Sequence, residues 1–397
     1  MRVAILHTDF RIYWPARLYA LHQYLKDHAV DLQVIEISSM GSPYRFNDSD
    51  LSTSIFWHCI FPNRKIEEVM SREAVQAVVN KLDDLYPDIV LAGAIAFPSG
   101  AAAVSWGLNR GRKVIIFDDA RLVDIRRSPF VNWIKKKVFS GVDAIFCPSE
   151  DWQNTFEHFG FSTEQLFYGV DVVDNDFWSD PEFVPDIKEK YKYFLTIGRQ
   201  VPKKNLAFLL LAYKKYLETA LNPLHLMLIG DGPMNISLRQ VVVDFDIEEF
   251  VHFIPFLSQE NLKSYFREAL WFVFPSLSGE TWGLVVNEAM ASGLPVIVSN
   301  QVGCVSTLVK DGVNGFIFSP DVIDELVRAL VSAATMDEGV RLRMAKKSTE
   351  IISEWGLERF CQGAYEAIQY VYGQKKRTPD LIGRLIINLW KGRYRPV

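Results

Sequence analysis

Short apolar segments alternate with helical segments along most of this chain, and that alternation restricts the fold more than any other feature. In the first half, apolar and β-branched runs predict strands at 3–6, 32–37, 89–92, 113–117 and 144–147. In the second half they predict strands at 193–197, 226–229, 251–254, 271–274, 295–298 and 315–318, and helices at 206–217, 262–269, 284–291 and 323–335. Strands that alternate with helices form parallel sheets with both faces covered. The sequence therefore predicts an α/β protein with two doubly wound, Rossmann-like domains.

A polar segment rich in Asp and Pro separates the two alternations. The length of 397 residues also suits two or three domains. We predict an N-terminal domain at 1–175, a linker at 176–190, a second domain at 191–365 and further helices at 366–397. Ligands of such sheets bind beyond the carboxyl ends of the strands, so functional residues are expected just after each strand.

The overall charge argues against a nucleic-acid-binding protein. The net charge is −5 and the pI is about 5.9, which gives the chain no general attraction to polyanions.

The four cysteines form no C-x-x-C pair, as is typical of reduced thiols in a cytosolic protein. Residues 89–109 carry no charge, but Pro98-Ser99-Gly100 interrupts them, so they predict a strand, a loop and a helix instead of a membrane span. A cytoplasmic location is expected.

The most specific stretch is 275–298, with the sequence PSLSGETWGLVVNEAMASGLPVIV. It contains a Ser/Gly loop, helix formers from Leu284 to Ala291, and then Gly293 and Pro295, which end the helix. With the apolar runs on either side, the stretch predicts strand, loop, helix and strand in that order.

Two glutamates of this stretch surround one helix N-terminus. Glu280 precedes the predicted helix and Glu288 lies about one turn inside it, so the two carboxylates do not stack on one face. A helix N-terminus binds anions through unpaired N–H groups, and Gly283 has no side chain to prevent a close approach. We predict a phosphate at this terminus, with carboxylates placed to accept hydrogen bonds from nearby hydroxyls.

This stretch resembles the Glu-x7-Glu signature of retaining glycosyltransferases of the GT-B fold, specifically family four, the glycosyl transferases group 1. Here Thr281-Trp282 replaces the usual Gly-Phe, and the loop before Glu280 is one residue longer. The resemblance implies two Rossmann-like domains that face a cleft, with the last helices, 366–397, crossing back to the first domain.

A basic segment follows the first strand of the second half. Residues 198–205, GRQVPKKN, are similar to the family motif G-R-x-x-x-x-K-[GN]. Arg199 can bind a phosphate with two N–H groups, and Lys204 adds a compact positive charge. The resemblance implies that both bind the donor diphosphate, that Glu280 binds donor-sugar hydroxyls near the reacting carbon, and that Glu288 binds the ribose.

The other predicted donor-binding residues lie in the same motifs or in the turn after the next strand. They are Thr281, Trp282, Gly283, Leu284, Gly198 and Gly232. Residues 228–233, LIGDGP, resemble the family turn V-G-x-G-P, and Pro233 stands where a dinucleotide fingerprint needs other residues. Pro255 replaces a glycine whose backbone helps to hold the base in the family, so the base is not readable from the sequence.

The first domain resembles the family less closely. Many members have a histidine after the strand that corresponds to 113–117, whereas this chain has Asp118 and Asp119. Two interpretations stay open: one of these carboxylates contacts the donor sugar or the acceptor hydroxyl, or both serve a loop or cap. Three Asp-x-Asp triplets, at 48–50, 174–176 and 244–246, are interpreted as solvated loops, and no metal site is predicted.

Two basic segments with apolar neighbours could adjoin a membrane. Residues 128–140, preceded by Arg126 and Arg127, predict a basic amphipathic helix, and the tail 381–397 is apolar and then basic. Each segment is either an ordinary surface helix or a contact with anionic lipid at the inner face of the membrane.

The predicted function is that of a retaining, metal-independent, hexosyl-type glycosyltransferase without a cofactor. It would move a sugar from a nucleotide-sugar donor to a glycan or lipid-linked acceptor, in surface polysaccharide or lipid-linked glycan synthesis. One alternative is a GT-B nucleotide-sugar epimerase, which needs no acceptor. Another is a non-catalytic nucleotide-sugar-binding partner subunit.

Overall fold

Buried β-branched and aromatic runs form the strands of the first part of the chain, because parallel strands are covered on both faces. The computed structural model describes residues 1–41, 56–124, 127–186 and 191–393. Up to residue 172 the elements are β1 (Arg2–His7), α1 (Trp14–Asp27), β2 (Asp31–Glu36), β3 (Trp57–Cys59), α2 (Ser71–Leu85), β4 (Ile89–Ala92), α3 (Pro98–Arg110), β5 (Lys113–Phe117), α4 (Pro129–Phe139), β6 (Ala144–Cys147), α5 (Gln153–His158) and β7 (Leu166–Tyr168).

These seven strands form one parallel sheet in the order β3-β2-β1-β4-β5-β6-β7. The strand order reverses between β1 and β4, where Leu6 pairs with Ala92. In doubly wound sheets, ligands bind at such a reversal, beyond the carboxyl ends of the strands. The loops that begin at Thr8 and Gly93 therefore border the expected binding edge of this sheet.

The middle of the chain repeats the pattern with a second parallel sheet. Its elements are α6 (Asn175–Ser179), β8 (Tyr193–Ile197), α7 (Leu206–Leu217), β9 (His225–Ile229), α8 (Asn235–Asp244), β10 (Val251–Ile254), α9 (Gln259–Glu268), β11 (Trp271–Phe274), α10 (Leu284–Ala291), β12 (Val296–Ser299), α11 (Val305–Leu308), β13 (Gly315–Phe318), α12 (Ile323–Ala334) and α13 (Glu338–Ser353). The strand order is β10-β9-β8-β11-β12-β13. Here the order reverses between β8 and β11, which pair through Phe194 with Trp271 and Leu195 with Phe272.

The last two helices, α14 (Leu357–Gly373) and α15 (Leu381–Leu389), belong to the same compact unit as the first sheet. The chain divides into a first unit, Met1–Val172 with Leu357–Val397, and a second unit, Val173–Gly356. Phe360, Ala364 and Ile368 of α14 lie in the hydrophobic core of the first unit. A second core of buried side chains, including Leu209 and Leu226, fills the second unit.

The predicted domain limits differ from this division in two places. The second domain was predicted to end at 365, but α14 begins at Leu357 and its apolar face packs against α1 and β7 of the first unit. The predicted linker at 176–190 contains most of α6, which Asp174 caps through a hydrogen bond from the Phe177 N–H (3.2 Å). Residues 187–190 lie outside the described part.

The predicted strands agree with the structure to within about one residue at each end, but β3 and β7 were not predicted. Each has only three residues and lies at an outer edge of the sheet. So short a segment offers too few positions for a periodic pattern to be recognised. Among the described residues, none of the helices has the length and apolar character needed to cross a bilayer.

Candidate active site

The two sequence motifs meet where the strand order of the second sheet reverses. Residues 198–205 follow β8, and the loop before α10 follows β11, the neighbouring strand. The Leu277 N–H donates a hydrogen bond to the Lys203 carbonyl (2.9 Å), which ties the two loops together. The fold therefore brings the basic segment and the Glu280 segment to one edge.

Lys204 and Glu280 form an ion pair at this edge. The Lys204 Nζ donates to Glu280 Oε2 at 2.7 Å, across a separation of 76 residues. The side chains are 15% and 13% exposed, respectively, and the ammonium also lies 4.6 Å from the centre of the Phe274 ring. The pair is shielded from water on one side, so its charges are screened less than those of a surface pair.

Positive charge exceeds negative charge around this pair. Lys203, which sequence reasoning did not single out, places its Nζ 3.7 Å from the same Glu280 oxygen and donates to the Gly279 carbonyl (3.3 Å). Burial lowers the pKa of Lys204 below its ordinary value; Glu280 raises that pKa, and the nearby charges of Lys203 and Arg199 lower it further. Two lysines thus share one carboxylate, and the charge of Arg199 acts on Lys204 as well, so the local excess of positive charge favours a dianionic ligand.

The N-terminus of α10 lies in the same loop. Gly283 is its N-cap residue, with a φ of 98° that side chains rarely allow. A Cβ built on Gly283 would lie 3.0 Å from Val302 Cγ1 and 3.1 Å from Phe274 Cε1, so only glycine fits without displacing neighbours. As a glycine, the N-cap residue has no side chain that could bond to the first N–H groups of α10, and a helix end of this kind can bind an anion.

The loop that carries Glu280 is held from behind by the segment after β12. The Gly303 N–H donates to the Glu280 carbonyl, and the Cys304 N–H donates to the Trp282 carbonyl, both at 3.0 Å. A Cβ on Gly303 would lie 1.7 Å from the Thr281 oxygen, so a glycine is required there. Gly303 was not predicted as a site residue; the available signal was its place shortly after the predicted strand at 295–298.

Gln200 supports the other loop and was also missed. It is almost fully buried; its Nε2 donates to the Gly230 carbonyl (2.6 Å), and its Oε1 accepts from Asn235 Nδ2 (2.8 Å). Its backbone also bonds with Asp231 and Met234. Gln200 fixes the segment that carries Arg199 and Lys204 to the turn after β9. It occupies a variable position of the motif, so no sequence signal marked it.

Gly198 and Gly232, which were predicted to bind the donor, lie in the turns after β8 and β9. A Cβ on Gly198 would lie 3.4 Å from Lys204 Cε, and one on Gly232 would lie 2.5 Å from the Gln200 carbonyl oxygen. Gly232 therefore allows the loops to pack closely, whereas a Cβ on Gly198 would make only an ordinary van der Waals contact. The neighbouring Phe256 N–H donates to Asp231 Oδ2 (2.9 Å), one residue after Pro255.

The remaining predicted residues of the second unit lie on or beside α10. Glu288 is 3% exposed, and Gln259 Nε2 of α9 lies 3.3 Å from its Oε1. Trp282 is buried too; its indole N–H donates to Asn287 Oδ1 (2.9 Å), and its ring packs 5.6 Å from Trp355. A donor contact from Trp282 would therefore come from its backbone. Thr281 and Leu284 are half-buried.

In the first unit, Asp118 and Asp119 follow β5 near a buried arginine. Asp118 is buried and accepts from the Ala120 N–H (3.0 Å), which is a local turn contact. Arg17 of α1 lies 4.0 Å from Asp171 and donates to the Val172 carbonyl. Burial and, secondarily, the charge of Asp119 raise the pKa of Asp171 to about 7. Asp118 thus makes a loop contact, and a contact of either carboxylate with the donor sugar or the acceptor hydroxyl stays a prediction.

The Asp-x-Asp triplets and parts of the two basic segments lie at helix ends or outside the described residues. Asp48, Asp50, Arg126 and Arg395 lie outside the described residues. Asp174 is the cap of α6, and Asp244 ends α8, where its Oδ1 accepts from Gln240 Nε2 (2.8 Å). The Asp-x-Asp segments that the structure describes thus belong to helix ends.

Sequence comparisons agree with the geometry of the second unit. Residues 180–350 match the family model described as Glycosyl transferases group 1. An uncharacterized glycosyltransferase of Haemophilus influenzae is 30% identical over 179 residues, covering 44% of this chain and 48% of that protein. The alpha-monoglucosyldiacylglycerol synthase of Streptococcus pneumoniae is 24% identical over 242 residues, covering 57% of this chain and 53% of the synthase. The chain therefore matches about half the length of these relatives.

A structural comparison covers nearly the whole chain. The Anabaena protein Alr3699/HepE, solved in complex with UDP-glucose, superposes with a TM-score of 0.70 at 17% identity, covering 93% of this chain and 100% of that one. The predicted fold class, GT-B with two Rossmann-like domains, is confirmed.

Proposed function

Since residues 180–350 belong to the glycosyl transferases group 1 family, we propose that this chain transfers a sugar from a nucleotide-sugar donor to an acceptor hydroxyl with retention of configuration. The pairing of Lys204 with Glu280 at 2.7 Å carries the proposal. It brings together, beside one helix N-terminus, a cation suited to a diphosphate and a carboxylate suited to sugar hydroxyls.

The donor diphosphate is proposed to lie on the N-terminus of α10, between Arg199 and Lys204. Glu280 would accept hydrogen bonds from donor-sugar hydroxyls, and Glu288 from the ribose. Two cations and a helix N-terminus can stabilise the charge that develops on the departing diphosphate without a metal.

In the proposed reaction, the bond between the sugar C1 and the diphosphate oxygen breaks as the acceptor oxygen bonds to C1 on the same face. The acceptor proton passes to the departing phosphate oxygen. No enzymic nucleophile is required, and the products are the glycoside and the nucleoside diphosphate.

The proposed acceptor is a glycan or a lipid-linked molecule in surface polysaccharide or lipid-linked glycan synthesis, used in the cytoplasm at the inner face of the membrane. The pneumococcal relative named for a glucosylated diacylglycerol supports a hexose donor and a lipid acceptor. UDP-glucose, present in the Anabaena structure, is the first donor to test.

The direct test is to incubate the protein with nucleotide sugars and candidate acceptors and to measure the nucleoside diphosphate released and the anomer formed. We expect acceptor-dependent release, a product with the donor's anomeric configuration, and no change on adding a chelator. An inverted anomer, or activity that a chelator removes and only a divalent metal restores, would contradict the retaining, metal-independent scheme. Conversion of donor without acceptor would indicate the epimerase, and tight binding without turnover the non-catalytic subunit.

A further inference from the structure

We propose that α15 and α4 of the first unit form a docking face for an anionic phospholipid surface. Most of the solvent-exposed residues of these two helices are apolar. Leu381, Leu385 and Leu389 are 85%, 61% and 70% exposed, and Ile382 is exposed as well. At about 100° per residue these four side chains occupy an arc of only about 100° on α15. A continuous apolar stripe of this kind marks an interaction surface.

The opposite side of α15 packs into the first unit. Gly383 and Ile387 are buried, and Ile387 packs closely against Gly141. Asn388 Oδ1 accepts from Asn109 Nδ2 of α3 (3.0 Å). Asp380 caps α15 through the Gly383 N–H (2.7 Å) and pairs with Lys137 of α4. The stripe is therefore presented by a fixed helix, so docking would cost little conformational entropy.

Aromatic side chains of α4 extend the same face. Phe130 and Trp133 are both exposed, and their rings stack at 6.0 Å with an angle of 19°. α4 and α15 pack against each other. Trp is favoured where apolar and aqueous phases meet, because its ring is apolar and its N–H is polar.

The charge around the face favours an anionic partner. Residues 127–140 contain four basic and no acidic residues, and residues 377–393 contain four basic and one acidic, in a chain whose net charge is −5. Lys136, Arg384 and Arg393 are exposed. Basic residues beside an apolar stripe are the combination that binds anionic lipid headgroups.

A groove of about 550 Å³ opens between α4 and the segment before α15. Its lining includes Trp133, Lys136 and Arg377. Lys136 and Arg377 in the lining would attract a lipid phosphate, and Asp380, which also lines the groove, is paired with Lys137.

A second copy of the chain fits this face less well. In a symmetric dimer the same patch meets itself, so Lys136, Arg384 and Arg393 of both copies would be brought together. Such like-charge contacts are unfavourable, whereas an anionic bilayer neutralises the same residues.

The position of the face suits the proposed function, on which this part of the argument rests. After α15, the Trp390 indole N–H donates to the Ile95 carbonyl (2.6 Å), and the Arg393 N–H donates to the Ala96 carbonyl (2.7 Å). Both carbonyls belong to the loop after β4, at the point where the first sheet reverses its strand order. Docking would place the lipid surface beside the expected binding edge of the first unit.

The test compares sedimentation with vesicles of equal parts phosphatidylglycerol and phosphatidylcholine against vesicles of phosphatidylcholine alone. We expect binding only to the anionic vesicles, with release at high salt. Leu385→Glu should reduce the partition coefficient about tenfold or more, because it removes a leucine that docking would bury in the bilayer and adds a charge of the same sign as the lipid. Leu221→Glu is the matched control, since Leu221 is 97% exposed in the second unit, and it should bind like the parent.

The proposal is overturned if the parent does not bind anionic vesicles, or if Leu385→Glu binds them as well as the parent does. It is also overturned if sedimentation velocity shows a parent dimer, or a complex with another protein, that Leu385→Glu dissociates. The thermal shift caused by UDP-glucose, measured on the same samples, separates the two proposals. If UDP-glucose does not raise the melting temperature, the result counts against the nucleotide-sugar function. Vesicle binding tests the docking face independently of that result.

Discussion

At the scale of single residues, Lys204 attracts the diphosphate of a nucleotide ligand, whereas the negative charge of Glu280 repels it. Each now neutralises the other at 2.7 Å. A bound diphosphate would take Lys204 away from Glu280, and the carboxylate would then be available to sugar hydroxyls. The two residues therefore contribute to different parts of the donor, although they form one ion pair.

The first prediction follows from this competition. Lys204→Gln should weaken binding of both nucleoside diphosphate and nucleotide sugar and should lower transfer by about 100-fold or more, because it removes a charge that stabilises the transition state. Glu280→Gln should lower transfer to a similar extent but leave nucleoside diphosphate binding equal or tighter, since Lys204 loses its competitor.

Isothermal titration and steady-state kinetics measure these effects. Lys215→Gln is the control, because Lys215 forms an exposed ion pair with Asp324 in the same unit, and it should change neither quantity. Weaker nucleoside diphosphate binding in Glu280→Gln than in the parent would contradict the assigned roles.

The second prediction concerns His7, which ends β1 in the first unit. Burial lowers the pKa of His7 from 6.5 to about 4, against the opposing effect of the Asp9 charge. A lowered histidine pKa contributes stability above about pH 6.5, and that contribution is lost as the pH falls towards 4. From pH 7 to 5, the His7 contribution to the free energy of unfolding should fall by about 2 kcal/mol.

Denaturant unfolding of the parent and His7→Gln at both pH values isolates this contribution. The comparison is needed because Asp171 changes the free energy of unfolding with pH in the opposite direction. The pKa of Asp171 is raised to about 7. Its contribution to stability is therefore complete near pH 3.8 and is lost as the pH rises through 7. His7→Gln should lose less stability on acidification than the parent, and His158→Gln, at an exposed position, should follow the parent. Equal losses in all three proteins would show that His7 is not protonated in this range on unfolding.

At the scale of elements, the start of α10 determines the candidate site. Gly283→Ala should lower the free energy of unfolding by about 2–3 kcal/mol, because the φ of 98° is strained for alanine and the added Cβ would press on Val302 and Phe274. It should also weaken donor binding, since the N-terminus of α10 would shift.

Gly312→Ala provides the matched control for this substitution. Gly312 also has a positive φ, 72°, in the second unit, but a Cβ there would meet nothing within 4 Å. Its cost should be only about 1 kcal/mol, with donor binding unchanged. Equal costs and unchanged donor binding in both variants would mean that packing at Gly283 does not position the helix.

Sequence patterns predicted these elements because each strand and helix has its own periodicity. They missed Gln200, Gly303 and Lys203, whose roles come from contacts between loops that are distant in the chain. The pairing of Lys204 with Glu280 likewise depends on β8 and β11 being neighbours, which a linear pattern does not contain. The unit limit at 356/357 was misplaced for a related reason: the apolar face of α14 does not reveal which sheet it covers.

At the scale of the whole molecule, two hydrophobic cores imply that ligand effects can be local. A nucleotide that binds the second unit stabilises the folded form of that unit by mass action. Hydrogen exchange with and without UDP-glucose should show slower exchange first in the segments 198–205 and 276–284. Slower exchange confined to the first unit would place the nucleotide elsewhere.

The measurement that tests the central claim most directly is a crystal structure of the protein with a nucleotide sugar bound. We predict that the diphosphate oxygens lie within hydrogen-bond distance of Lys204 Nζ and of a backbone N–H in the first turn of α10, and that Glu280 has exchanged Lys204 for sugar hydroxyls. A diphosphate bound at another place, with Lys204 and Glu280 still paired, would contradict the account.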